Sequence, residues 1–360
     1  MNNRIKNEET ECALSSLYLY LTDHCNLCCS HCWITPKYSE QPHDGTPLEF
    51  LKKAVSEARP LGLQTVKLTG GEPFLYRHLS ELIEFLAEEQ LSVLIETNGT
   101  LITRGMVERL KSCDVDQISV SLDAATEGLH DQIRGVKGSF KRTLEGLRLL
   151  SEHGFDFQII MTLQRRNREE IPGVIRLSER LGAGSLKINP LIPCGRGMEA
   201  FEHKNNLELD DLIRLYRMVG ERSPSHKNLK IIFDLPIAFR TLSEIKRGGI
   251  SECRILNILG ILGNGDFSIC GIGQTVDELR MGNIREVSIR DVWEKSPILK
   301  DLRRSLPWKL GGICGRCLFK FQCLGSCRAN AYALSKDLYA PYFLCRELFE
   351  SGGFPASRYV

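Results

Sequence analysis

The stretch Leu17-Tyr-Leu-Tyr-Leu-Thr-Asp-His-Cys25-Asn-Leu-Cys28-Cys29-Ser-His31-Cys32-Trp33 decides the reading of this chain. Its first six residues form an apolar, aromatic run that reads as a β-strand. Four cysteines then follow within eight residues, a density that packing does not explain. The whole chain holds 14 cysteines in 360 residues. A secreted protein would use them as disulfides, but the N-terminus has no hydrophobic signal core and the chain is too long to need staples. In a reducing compartment they are thiols, whose thiolates are soft ligands for iron–sulfur clusters or zinc. Cys25, Cys28 and Cys32 suit a zinc site completed by another ligand. Cys25, Cys29 and Cys32, spaced C-x3-C-x2-C, suit a cubane that keeps one iron open for catalysis. Spacing alone leaves both open.

Working outward, β-rich runs recur at 17–22, 64–69, 91–97, 116–122, 155–163 and 184–191, with helical stretches between them. Thr46 is placed to cap a helix with Pro47 at its first position and Glu49 as capping-box partner. In 139–153, Phe140, Leu144, Leu147 and Leu150 share one face, and Gly154 is placed to end the helix. Six β-α units in series predict an α/β fold: a parallel sheet curled into an open (β/α)6 partial TIM barrel. Ligands of such sheets gather at the C-terminal strand ends.

Those ends carry polar groups. Gly70-Gly71-Glu72-Pro73 follows the second strand, Glu96-Thr97-Asn98-Gly99 the third, and Ser119-Val-Ser121-Leu-Asp123 the fourth, with His130-Asp131 and Arg134-Gly135 beyond. Paired glycines let a backbone approach a ligand closely, an acid suits an ammonium and a guanidinium suits a carboxylate. These are the needs of an amino acid joined to a nucleoside. The ordered motifs resemble the radical S-adenosylmethionine superfamily over about residues 17–197. The resemblance implies that Cys25, Cys29 and Cys32 hold a catalytic [4Fe–4S] cluster whose fourth iron chelates S-adenosylmethionine. It implies Glu72 for the ammonium, Ser121 and Arg134 for the carboxylate and ribose region, and His31 against the adenine. Gly70, Gly71 and Asn98 complete the cofactor set. Asp123 joins it by contact or by orienting the loop. Cys28 falls outside the motif, and Cys12 and Cys113 read as small apolar residues.

A second cysteine set begins at Cys253, with Gly265 and Cys270, then Cys314, Cys317, Cys323, Cys327 and Cys345. Its C-x11-G-x4-C and C-x2-C-x5-C-x3-C-x17-C spacing resembles the SPASM domain, a loop-rich iron–sulfur extension. A zinc ribbon would explain four of the seven and leave three idle. The resemblance implies two auxiliary [4Fe–4S] clusters, making three in all: Cys253, Cys270 and Cys327 for one, Cys314, Cys317, Cys323 and Cys345 for the other. The first has an open iron or a fourth ligand such as Cys194, whose simpler role is to line the cavity. The division is a tail over 1–16, the barrel over 17–205, a bridging helical segment over 206–252, the SPASM domain over 253–350 and a tail over 351–360.

The net charge is +2, so no nucleic-acid partner is expected, and no apolar run is long enough to cross a membrane. A cytoplasmic location is the expectation. The implied activity is an anaerobic oxidoreductase chemistry: a 5′-deoxyadenosyl radical abstracts a hydrogen atom, with electrons from a flavodoxin or ferredoxin. SPASM-bearing relatives mostly modify peptides, so maturation of a ribosomally made peptide (RiPP maturation by crosslinking or oxidation) is the leading expectation. Only about sixteen residues precede the first strand, so a separate leader-peptide-binding protein, or the enzyme itself, would present the precursor. Sulfatase maturation is the second expectation, weakened because Leu259 stands where that family has another cysteine and Gly271 where it has an acid. Tetrapyrrole side-chain chemistry is the third and a non-catalytic electron carrier the fourth.

Overall fold

A computed structural model describes residues 12–222, 228–247 and 253–360. Residues 1–11 of the expected N-terminal tail, and 223–227 and 248–252 of the expected bridge, lie outside the described residues. The strands are β1 Ser16–Tyr20, β2 Thr65–Thr69, β3 Ser92–Thr97, β4 Gln117–Ser121, β5 Phe157–Leu163, β6 Ser185–Pro190, β7 Lys230–Phe233, β8 Ile258–Ile261, β9 Asp266–Ser268 and β10 Arg280–Asn283. The helices that cover them are α1 Leu48–Ala58, α2 Leu79–Glu88, α3 Arg104–Ser112, α4 Glu127–Arg134, α5 Ser139–Glu152 and α6 Ile171–Arg180.

One sheet runs β10-β9-β8-β1-β2-β3-β4-β5-β6-β7, parallel from β8 to β7 and antiparallel across β8-β9-β10. No ladder among the described residues joins β7 to β8, so the sheet stays open. The six expected strands are all present, and the sheet is wider than they are. β7 arises in the segment expected to be a helical bridge and continues the sheet past β6. Its four residues, KIIF, are too few for hydrophobic periodicity to reveal. On the other edge β8 lies parallel to β1, so the second cysteine segment is built onto the barrel sheet itself.

Strand alternation makes the two faces. Along β3, Val93, Ile95 and Thr97 are buried while Ser92, Leu94 and Glu96 are less so. Val93 and Ile95 pack in the main core, the alternate residues face the lumen, and Thr97 at the strand end lines the cavity together with Glu96. The lumen is polar: Lys67 on β2 lies 2.7 Å from Glu96 on β3, and Lys187 on β6 lies 3.6 Å from Asp234 after β7.

Two local expectations meet the structure differently. In α5, Leu147 and Leu150 are fully buried, Phe140 and Leu144 pack against the core, and Gly154 follows at φ +72°. Thr46, however, does not cap α1, whose N-cap is Pro47 with no side-chain bond. Its hydroxyl instead reaches the Leu262 and Gly263 carbonyls at 3.2 and 3.1 Å. The β8-β9 hairpin outcompetes the helix end for that hydroxyl. The hairpin turns at Gly265, which holds φ +91°, a left-handed conformation natural to glycine. At Gly263 an added Cβ would stand 2.6 Å from the Asp23 nitrogen, so the hairpin sits hard against the loop that carries the first cysteines.

Candidate active site

The loop after β1 is held on three sides. The Cys28 and Ser30 N–H groups donate to the Arg134 and Ile133 carbonyls, each at 3.0 Å. The Ser39 N–H donates to the Cys25 carbonyl at 2.9 Å. The Arg196 N–H donates to the Cys32 carbonyl at 2.9 Å. Within that frame Cys25 and Cys29 are buried and Cys32 half-buried, and all three line one cavity of about 390 Å³. Cys28 is exposed and does not line it. Cys25, Cys29 and Cys32 therefore share a space whose lining does not include Cys28. The Cys25 sulfur accepts the Leu27 N–H at 3.4 Å and the Asn98 amide at 3.8 Å. The Cys29 sulfur accepts Arg134 Nη1 at 3.6 Å. Burial pushes the Cys25 thiol well up and the Cys29 thiol up to about 11, although Arg134 opposes the latter shift. Buried thiols of this kind become thiolates when a metal supplies the compensating charge.

The other motif residues divide between the cavity and its support. Gly70, Gly71, Asn98, Ser121, His31 and Arg134 line the cavity. Glu72 does not. Its carboxylate is buried and accepts the Thr97 hydroxyl at 2.6 Å, the Asn98 N–H at 2.9 Å and the Phe74 N–H at 3.2 Å. It therefore joins β2 to the end of β3, and its two oxygens are occupied by neighbours of the protein. Burial raises its carboxyl to about 7 against those three hydrogen bonds.

Asp123 is also buried behind the wall. It accepts the Thr162 N–H at 2.8 Å and lies 2.8 Å from Arg134 Nε and 3.7 Å from His31 Nε2. Burial alone would raise its carboxyl, but Arg134 and then His31 hold it below the usual range. Burial pulls His31 down to about 4, so the imidazole is neutral near pH 7. With Gln164 Nε2 donating to Nδ1 at 3.1 Å, its proton sits on Nε2, toward Asp123.

The C-terminal segment contributes to the same cavity. Cys253, Cys323, Ser326, Cys327 and Tyr342 face the same space as Cys25, Cys29 and Cys32. Cys314, Cys317, Cys323 and Cys345 line a second, small cavity with Ile313, Gly325 and Phe354. A hydrogen bond shared by Cys314 and Cys345 lowers the first thiol and raises the second. Cys270 lies outside both linings, and burial followed by the nearby Cys327 pushes its thiol up. Cys194 is buried, 3.7 Å from the Trp33 carbonyl and 3.8 Å from the Thr275 hydroxyl, and lines neither cavity. Arg328 is fully buried between Cys327 and the second cysteine group and donates to the Leu338 and Ala340 carbonyls at 3.0 and 2.7 Å.

Asn189, Arg196 and Asp234, which sequence reading missed, also line the main cavity, as does Glu96 of the third strand end. Three of them stand at or just past strand ends, where the barrel rule directs attention. Arg196 follows Gly195 in a loop noticed only for its cysteine. The donor set fits iron–sulfur chemistry: soft thiols at separate points on a cavity wall. Among the described residues no three His, Cys, Asp or Glu side chains converge as ligands of a single ion would. In a cubane each cysteine binds its own iron.

Comparison with known proteins agrees with this geometry. Residues 19–178 match the radical SAM superfamily model, and 253–318 match the SPASM model of an iron–sulfur cluster-binding domain. The chain is 33% identical to the AdoMet-dependent heme synthase of Methanosarcina barkeri over 341 residues, 91% of this chain and 95% of that one. It is 27% identical to the mycofactocin maturase MftC of Mycobacterium tuberculosis, covering 89% and 80%. Its fold matches Streptococcus suis SuiB bound to S-adenosylmethionine with a TM-score of 0.73 at 21% identity, covering 93% and 78%. The open barrel, the cysteine loop at its rim and the appended cysteine domain are those of one family, and this chain belongs to the radical SAM superfamily as a SPASM-bearing member.

Proposed function

We propose that Cys25, Cys29 and Cys32 hold the catalytic [4Fe–4S] cluster, and that the enzyme oxidises a side chain of an iron tetrapyrrole. Cys253, Cys270 and Cys327, and Cys314, Cys317, Cys323 and Cys345, hold the two auxiliary clusters. Cluster and S-adenosylmethionine together supply a 5′-deoxyadenosyl radical that removes a hydrogen atom from an unactivated carbon. The observation that carries the reading is that Cys25, Cys29 and Cys32 share one cavity with Cys253, Cys323 and Cys327. Loss of a hydrogen atom followed by loss of one electron is a two-electron oxidation, and an electron acceptor lining the same cavity suits it. Gly70, Gly71, Asn98 and Ser121 present backbone and polar groups to the cofactor. Arg134, fixed by Asp123, sets a positive charge beside Cys29. Tyr20, Trp33 and Ile34 form an apolar side that keeps water from the radical.

The tetrapyrrole substrate is supported by similarity to a heme synthase along 95% of that protein's length. Peptide maturation, the leading expectation from sequence, is the second reading and draws on the similarity to the mycofactocin maturase. Sulfatase maturation fits less well. Leu259 is buried in β8, paired with Leu17. A Cβ on Gly271 would stand 2.5 Å from the Tyr20 ring, so an acid at that position would have to displace that ring.

The test is anaerobic incubation of the reduced protein with S-adenosylmethionine, with and without iron coproporphyrin III. We expect 5′-deoxyadenosine to form and the porphyrin's mass to change. Absence of 5′-deoxyadenosine would overturn the radical reading. Its formation with unaltered porphyrin would transfer the substrate to the peptide reading.

A further inference from the structure

Among the described residues, the cavity lining holds one cation without a counter-ion. Arg134 is matched by Asp123, and in the lumen Lys67 and Lys187 are matched by Glu96 and Asp234. Arg196 lines the cavity, and its Nε and Nη2 are buried with no hydrogen-bond partner. Arg196 as a whole is half-buried, and its two nitrogens withdrawn from water and left unpaired cost free energy unless an anion meets them. Its position is fixed rather than loose. Its N–H is bound to the Cys32 carbonyl. Gly195 before it takes φ +57°, and a Cβ there would stand 2.5 Å from the Trp33 carbonyl. Asn189, on the same cavity's lining, has its Oδ1 buried without a donor. The lining therefore offers unsatisfied polar groups at and just beyond the end of β6.

We propose that Arg196 anchors a carboxylate of the substrate. This rests on the tetrapyrrole reading and deepens it, because it names the group by which the substrate is held. A single unpaired guanidinium matches a monoanionic carboxylate and presents two parallel donors to it. The cofactor's own carboxylate has Ser121 and Arg134 at the β4 end, and Arg196 stands two strands away, beyond β6. Tethering Arg196 to Cys32 ties the substrate's position to the cysteine loop, so the carbon beside the anchored chain is presented to the place where the radical forms.

The test measures equilibrium binding by the Soret-band change of two probes, iron coproporphyrin III and its tetramethyl ester, to the cluster-loaded enzyme. S-adenosylmethionine affinity is measured in parallel. Wild type should bind the free acid about tenfold or more tighter than the ester. Arg196→Gln should abolish that preference, Arg196→Lys should keep part of it, and both should bind S-adenosylmethionine as wild type does. Equal binding of acid and ester by wild type overturns the proposal without any variant. So does an unchanged preference in Arg196→Gln. A loss confined to S-adenosylmethionine affinity overturns it too, by assigning Arg196 to the cofactor's carboxylate. If wild type binds neither porphyrin, the tetrapyrrole reading fails, and this anchor fails with it.

Discussion

At the scale of single residues, Glu72 shows how the surroundings of a motif's side chain depend on the fold as well as on the motif. Two glycines followed by an acid mark a close backbone approach, and Gly70 and Gly71 do line the cavity. The direction of the carboxylate depends on Thr97 and Asn98, which belong to the next strand and reach it only once β2 and β3 pair. That dependence gives a pH prediction. Burial raises the folded-state pKa of Glu72 to about 7 from an ordinary 4.5. The folded state thus holds a proton that the unfolded chain releases. The resulting stability is fully present below pH 4.5 and is lost as pH rises through 7. Relative to Glu72→Gln, which does not titrate, the wild type should lose roughly 3 kcal/mol between those limits. Anaerobic urea unfolding at pH 5 and pH 7.5 reads the difference, and parallel behaviour of the two proteins would show that Glu72 titrates normally.

At the scale of elements, the cysteine loop is shaped by contacts that sequence announces only as glycines. A Cβ on Gly71 would stand 1.9 Å from the His24 carbonyl oxygen, and one on Gly135 would stand 2.4 Å from that of Cys28. Both obstacles are backbone, so no rotamer relieves them. Gly71→Ala should lower the unfolding temperature strongly and remove the iron of the catalytic cluster. Gly105→Ala in α3, where a Cβ meets nothing within 4 Å, should be neutral or stabilise by up to ~1 kcal/mol. Similar thermal shifts in the two variants would contradict the packing. The same loop sorts its cysteines. Cys28→Ala should keep its iron and cofactor cleavage, whereas Cys29→Ala should lose both; iron and sulfide analysis with 5′-deoxyadenosine release distinguishes them. The barrel's six β-α units were legible because each strand carries its own alternation or apolar run. β7 was not, because four residues carry no period, and β8 was not, because its place beside β1 is a long-range choice.

At the scale of the whole molecule, the cysteine spacings announced two metal-binding regions but not that both line one cavity. That arrangement follows from β8 joining the barrel's edge and from the hairpin turn at Gly265, neither of which spacing encodes. It makes a prediction about the division of labour. If the auxiliary clusters take up the electron left on the substrate, they are needed for product and not for the radical. Cys317 lines only the smaller cavity, while Cys323 touches both, so the single variant Cys317→Ala perturbs the far cluster without altering the main cavity, and the double variant with Cys323→Ala alters both. Metal ligands also contribute folding free energy, so both variants are first checked for a folded protein that keeps the iron of the Cys25, Cys29 and Cys32 site. Given that, both should still release 5′-deoxyadenosine from S-adenosylmethionine while substrate oxidation falls away. Full turnover in a Cys317→Ala protein shown to lack the far cluster would mean that this cluster only ties the loops of the domain together. The electron would then have to leave through Cys253, Cys270 and Cys327 alone.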